Sequence, residues 1–247
     1  MIESTLCHLP HVSLAEEKNL WRKGICNWDD LQCWAAVHAD DARYQTLEEA
    51  IARSRRALAS QDVGFFLKNL PESEYYRIYP DFARQVFFLD IETDGLDQDA
   101  EITCLSVLNM DVMRSYLCTD DFGSAERLLG RVRIAVTFHG TRFDMPRLMR
   151  RFPDFRVRFH IDLARTLRFH KVSGGLKDVA LRLGWRSNSN PSTITNGQQA
   201  AEAWHSYQQS ADSSILRDLQ AYNQEDVQML RFIICALVSR HARSIPL

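Results

Sequence analysis

The rhythm of apolar and polar positions along this chain changes near residue 80. Before that point apolar residues recur at helical spacing. Leu14 to Lys23 and Trp28 to Val37 predict two helices joined by Gly24-Ile25-Cys26-Asn27, with Asn27 placed as an N-cap. Thr46 to Ala59 predicts a third, opened by Thr46-Leu47-Glu48-Glu49 in capping-box order. Glu72 to Asp81, with Tyr75, Tyr76 and Tyr79, reads as a connector.

From Phe82 onward short strand patterns alternate with helical ones. Val86 to Leu89 is rich in β-formers, and the run ends at the turn signal Asp94-Gly95. Glu101 to Leu108 and Asp111 to Cys118 flank Asn109-Met110 and predict an antiparallel pair. Arg133 to Phe138 and Val157 to Ile161 predict two more strands. Helices are expected at Ser124 to Arg131, Asp144 to Arg151 (Pro146 being tolerated in a first turn), Asp162 to Phe169, Leu176 to Leu183, Gln198 to Gln209 and Asp212 to Arg240. Gly184 to Gly197, rich in Ser, Asn and Thr, reads as a loop or flap. The expectation is an α/β fold: a mixed five-stranded sheet flanked by helices over residues 81–247, preceded by a small helical N-terminal region, residues 1–80.

Polar residues break this pattern where it should be apolar. Asp90 and Glu92 sit two apart on the first strand, so their side chains share one face. Two like charges buried side by side are costly unless a cation or a proton compensates, and hard cations take carboxylate oxygens. The last helix repeats the anomaly. Its apolar stripe is Leu219, Tyr222, Asp226, Leu230, Ile233 and Leu237, with an acid in a core-facing slot. Asp144 follows Phe143 just after a strand.

Composition adds little until charge is localised. The chain of 247 residues carries a net charge of −2 and is 45% hydrophobic, as an ordinary globular protein is. Arg131 to Arg186, however, holds 14 Lys plus Arg against 4 Asp, a local balance of +10. Phe138, Phe143, Phe152, Phe155, Phe159 and Phe169 are interleaved with these cations. That mixture suits single-stranded nucleic acid, although charge runs also form plain solvated faces. The six cysteines form no Cys-x-x-Cys pair, and Cys7, His8, Cys26 and Cys33 have no recognised zinc spacing. No secretory leader or membrane span is read, so the expected setting is the reduced cytoplasm, away from membranes.

Asp90-Ile91-Glu92, Phe143-Asp144 and Tyr222-Asn223-Gln224-Glu225-Asp226 together resemble the ordered acidic motifs of the DEDD exonuclease superfamily, with a ribonuclease H-like fold. The Tyr-x-x-x-Asp form resembles the tyrosine subgroup. Thr137-Phe138-His139-Gly140 through Pro146, His160-Ile161-Asp162-Leu163, and Gly175-Leu176-Lys177 to Gly184 are similar to the YprB-like group. The resemblance covers about Gln85 to Leu237. It implies a two-metal-ion 3′→5′ exonuclease acting on single-stranded nucleic acid with a 3′ end, with DNA favoured, and releasing 5′-mononucleotides. The cofactors implied are two divalent ions, Mg²⁺ or Mn²⁺, which in such sites lie about 3.5–4 Å apart. Asp90 is expected to bridge them, with Glu92 and Asp226 on one and Asp144 on the other. Tyr222 is expected to orient the attacking water.

The resemblance also implies residues that meet the strand: Thr93, Gly95 and Leu96 after the first strand, then His139, Arg142 and Phe143, and Lys177. Leu96 reads either as a wedge beside the terminal base or as a core residue, and Lys177 either as a phosphate contact or as a solvated lysine. His139 stands where the family's second motif usually has Asn, so an altered substrate grip is expected. Asp162 reads as a helix N-cap, and His160 and His170 as structural. The N-terminal stretch resembles a helix-hairpin-helix element in its framing, but His11-Val12-Ser13 replaces the glycine-rich hairpin. Two alternatives stand beside the first reading: an exoribonuclease on RNA or short oligonucleotides, and a non-catalytic nucleic-acid-binding module.

Overall fold

In the computed structural model, all residues are described except 38–41, 121, 188–191 and 247, together with the side chains of 42–45. The chain divides into two compact units, Met1–Ala83 with Ala236–Leu247, and Arg84–Cys235.

The first unit is helical: α1 (Leu14–Arg22), α2 (Trp28–Val37), α3 (Ala42–Ala59), α4 (Val63–Asn69) and the short α5 (Tyr79–Phe82), the last two joined through a 3₁₀ stretch at Glu72–Ile78. Asn27 caps α2, its side chain accepting from the Asp30 amide at 2.9 Å. The third helix begins earlier than its capping-box pattern implies, at Ala42, so Thr46 lies inside it. Alanine, arginine and glutamine ahead of Thr46 are strong helix formers and carry the helix past that signal. Helix α4, capped by Asp62, was not anticipated, because Gly64 and a single turn of apolar residues mask its period.

A buried ionic knot holds this unit. Arg77 meets Glu17 at 2.8 Å and Glu74 at 2.6 Å, while Glu17 also accepts from the Leu6 and Cys7 amides. Burial pushes the Cys7 thiol well up, and His8, packed between Trp28 and Phe66, falls to about 4. In the hairpin-like stretch His11 adopts a left-handed φ of 63°, and the Leu9 and Val12 amides bond within the turn. Those two amides are therefore not offered to a phosphate.

The second unit is built on a five-stranded sheet in the order β3-β2-β1-β4-β5. The strands are β1 (Val86–Thr93), β2 (Ile102–Asn109), β3 (Val112–Leu117), β4 (Ile134–Thr137) and β5 (Phe159–Asp162). The first three are antiparallel, and β4 and β5 add in parallel. Strand β5 starts two residues later than its apolar run suggests, at the point where the Arg158 and Phe159 amides both donate to the Arg133 carbonyl. Helices follow at α6 (Gly123–Leu129), α7 (Asp144–Arg151), α8 (Leu163–Phe169), α9 (Leu176–Arg182), α10 (Gly197–Ser210) and α11 (Ser213–Ala242). Residues 188–191 of the expected 184–197 loop lie outside the described residues.

The period of two sorts the sheet's faces. Leu89 and Ile91 of β1, with Leu105 and Val107 of β2, pack under α6 and α7 against Leu129, Leu148, Phe152 and Phe155. Each such side chain fully buried contributes about 1.5–3 kcal/mol. Asp90 and Glu92 occupy the opposite face, and the register sets Ser106 beside Asp90 and Cys104 beside Glu92. Small polar partners leave room for a helix carrying its own acid. That helix is α11, and Leu219 and Tyr222 pack around Cys104 together with Trp204 of α10.

Candidate active site

Three elements deliver four acids to one cleft of about 280 Å³, lined by Asp90, Glu92, Thr93, Leu96, His139, Phe143, Asp144, Tyr222 and Asp226 among others. Asp90 and Glu92 enter from β1. The hydrogen-bonded β1–β4 pairing ends at Phe88 and Val136, two residues before Asp90, so the strand's end opens onto the cleft. Asp226 comes from α11, and Asp144 opens α7. One oxygen from each of Asp90, Glu92 and Asp226 lies within 4.8 Å of the others. Asp144 is not part of that triplet, but its charge is the first among those acting on Asp90.

Electrostatics marks this cluster as incomplete in charge. Burial, then mutual repulsion, holds Asp90 and Glu92 well above the usual carboxylate range. Burial likewise pushes Asp144 and Asp226 up to about 7. One oxygen of Asp144 and one of Asp226 are buried with no hydrogen-bond partner. Orphaned carboxylate oxygens beside two further acids form the donor set that a hard divalent cation takes. Among the described residues no other group of three such side chains is close enough to hold an ion.

Tyr222 lies one turn before Asp226, and burial followed by the acids' charges raises its hydroxyl far above 10. Lys177 sits with its Nζ 3.8 Å from the Tyr222 ring centroid and 4.0 Å from Asp226. Its ammonium also donates to the Thr195 carbonyl at 3.1 Å. A solvated lysine does not describe it. Leu96 is 62% exposed at the cleft's edge, so the core alternative does not hold. Thr93 is buried, and its hydroxyl donates to the Gly95 carbonyl at 2.6 Å, tightening the turn.

Several positioning residues carry no sequence signal of their own. Asn223 donates to Asp90 Oδ2 at 2.6 Å, and its Oδ1 accepts from the Cys104 thiol at 3.5 Å. Only its place inside the Tyr222–Asp226 motif hinted at it. Arg147 lies 3.9 Å from the Phe143 ring centroid and donates to the carbonyls of Leu96 and Asp97. Arg150 donates to Gln98 and Ala100, each at 2.8 Å. These two arginines fasten the loop after β1 to α7. Part of the basic excess therefore serves backbone carbonyls rather than a charged ligand.

The loop after β4 is equally fixed. Asp162 caps α8 through the Ala164 amide and also accepts from the His139 amide at 3.0 Å and the Thr141 hydroxyl at 2.8 Å. These bonds hold His139 at a left-handed φ of 59°. A side chain at Gly140 would collide with Thr137, which explains the glycine. His160 binds the Thr137 hydroxyl at 2.8 Å, a structural task. The side chains of His139 and Arg142 are exposed beside the half-buried Phe143.

Residues 87–238 match the family model of the RNase H superfamily. The chain belongs to that superfamily. Among solved structures, this RNase H superfamily member is similar to the family B DNA polymerase of Pyrobaculum calidifontis, with 18% identity and a TM-score of 0.49 over 63% of this chain and 24% of the polymerase. It thus spans about a quarter of that relative. It is also similar to the Nibbler EXO domain of Aedes aegypti, at 13% identity and a TM-score of 0.46, covering 68% of this chain and 84% of that one. No curated protein matches the chain. Among the described residues no helix is long and apolar enough to cross a membrane.

Proposed function

We propose that this RNase H superfamily member is a metal-dependent 3′→5′ exonuclease that hydrolyses single-stranded nucleic acid, DNA in preference to RNA, to 5′-mononucleotides. The observation that carries the reading is the cluster of four acids with two orphaned buried oxygens. Asp90, Glu92 and Asp226 would hold one divalent ion, and Asp144 with Asp90 a second. Mg²⁺ and Mn²⁺ suit this all-oxygen set. When bound, such ions neutralise phosphate charge and stabilise the attacking and leaving oxygens.

The chain's own groups do the rest. Tyr222, whose hydroxyl stays protonated at neutral pH, positions a water beside Asp226. That water's oxygen bonds to phosphorus as the bond from phosphorus to the upstream 3′-oxygen breaks. The water's proton is lost to solvent, and the 3′-oxygen takes one up. Lys177, 4.0 Å from Asp226, adds positive charge close to where negative charge develops on the transferring phosphoryl group. Leu96 and Phe143 flank the terminal base, and Thr93 and Gly95 shape the turn that carries Leu96. Residues 81–247 form the catalytic domain in this reading, and residues 1–80 an accessory region.

End-labelled single strands test it. DNA and RNA of one sequence, labelled at either end, are incubated with Mg²⁺, Mn²⁺ or a chelator, beside Asp90→Ala. The expected result is a metal-dependent ladder shortening from the 3′ end, absent in the variant and faster on DNA. Strand binding without cleavage under any metal would overturn the proposal in favour of a non-catalytic binding module, and cleavage of RNA alone would make the enzyme an exoribonuclease.

A further inference from the structure

A second, larger cavity of about 800 Å³ adjoins the acidic cleft and shares His139 and Phe143 with it. Its remaining wall comes from the loop after β4 and from α8: Arg142, Arg165, Arg168 and Phe169. Phe169 is 58% exposed, one of few large apolar side chains so placed among the described residues. Asp162, the acid in this wall, is already occupied by the His139 and Thr141 amides, the Thr141 hydroxyl and the Ala164 amide. Those donors, outweighing its burial, hold its carboxyl below the usual range, and the exposed Arg142 and Arg168 set positive charge on the wall. Guanidinium groups around an aromatic surface match a phosphate backbone with stacked bases.

We infer that this α8 cavity is an upstream subsite, binding the nucleotides on the 5′ side of the scissile phosphate, with Arg168 on a phosphate and Phe169 stacking a base. The inference rests on the exonuclease reading and deepens it. The terminal nucleotide belongs to the acidic cleft, and the strand behind it passes the shared His139–Phe143 edge into the larger cavity. Hydrolysis therefore depends on length: a strand several nucleotides long gains from α8, whereas a substrate that ends at the scissile phosphate does not.

The p-nitrophenyl ester of thymidine 5′-phosphate separates the two. It carries the terminal nucleotide and the scissile phosphate, and p-nitrophenolate replaces every upstream nucleotide. Arg168→Ala and Phe169→Ala lie on an exposed surface, so folding is preserved. Each is expected to lower kcat/KM on a ten-nucleotide strand about tenfold or more and to leave ester hydrolysis unchanged. In chelator, anisotropy of a labelled single strand should show weaker binding, and the log–log salt slope should fall by about 0.7 with Arg168→Ala. Equal losses on ester and strand, or no loss on either, would overturn the subsite. If wild-type protein cleaves neither substrate, the exonuclease reading fails instead. The chelator binding data then still decide whether α8 holds a strand, because unchanged affinity in both variants would overturn it.

Discussion

Replacing Asp226 by Asn should make the metal-free protein more stable while abolishing hydrolysis. Asp226 titrates near 7 rather than at the ordinary 3.8, mainly through burial. A difference of that size corresponds to about 4 kcal/mol held against the charged form, which is a ceiling. Asn forfeits the attraction of Lys177 at 4.0 Å and must find partners for a buried amide, so a net gain of about 1–2 kcal/mol is expected at pH 8. The sign follows from proton linkage. A folded-state value above the unfolded one means the native chain holds the proton more tightly. The stability that this proton confers is complete below about 4 and is lost as pH rises through 7. Urea unfolding followed by circular dichroism, in chelator at pH 4.5 and pH 8, reads the difference. The variant's advantage should open as pH rises, and saturating Mg²⁺ should stabilise wild type alone. A variant less stable than wild type at pH 8, or one equally advantaged at both pH values, would refute the reasoning.

Other perturbations separate the roles of neighbouring groups. Tyr222→Phe keeps the ring under Lys177 and removes only the hydroxyl, so kcat should fall by about 10²-fold or more with Mn²⁺ affinity unchanged, as calorimetry would show. Asn223→Ala frees Asp90 to rotate, and activity titrated against Mg²⁺ should reveal a metal requirement about 10–100-fold higher. Arg77→Met leaves Glu17 and Glu74 buried without their cation and should cost the helical unit about 3–5 kcal/mol in denaturant unfolding. Retained stability there would mean that water reaches the knot.

The sheet was legible because its strands are short runs rich in β-formers set between turn signals, and because Asp90, Glu92 and Asp226 sit where oily residues belong. A misplaced acid in a core-facing position is visible without coordinates. The start of α3 was not, since Thr46 and Glu49 present a capping signal that stronger helix formers upstream override. Arg147, Arg150 and Asn223 were illegible for a different reason. Their partners lie 50 or more residues away, and the carbonyls that the two arginines grip have no residue type to betray them. The same fact corrects the charge argument: local excess predicts an anionic ligand only for arginines that the fold leaves facing solvent, as it does at Arg142 and Arg168. Leu96 could be resolved only by the fold, because a leucine after a turn serves a core or a rim equally well.

The central claim is that these four acids form a divalent-cation site. Crystals grown with Mn²⁺ and a 5′-mononucleotide, measured at the manganese absorption edge, test it most directly. The account predicts anomalous density among Asp90, Glu92 and Asp226, a second peak between Asp90 and Asp144, and neither peak in Asp90→Ala. Clear density for the nucleotide with no anomalous signal at these carboxylates would contradict it.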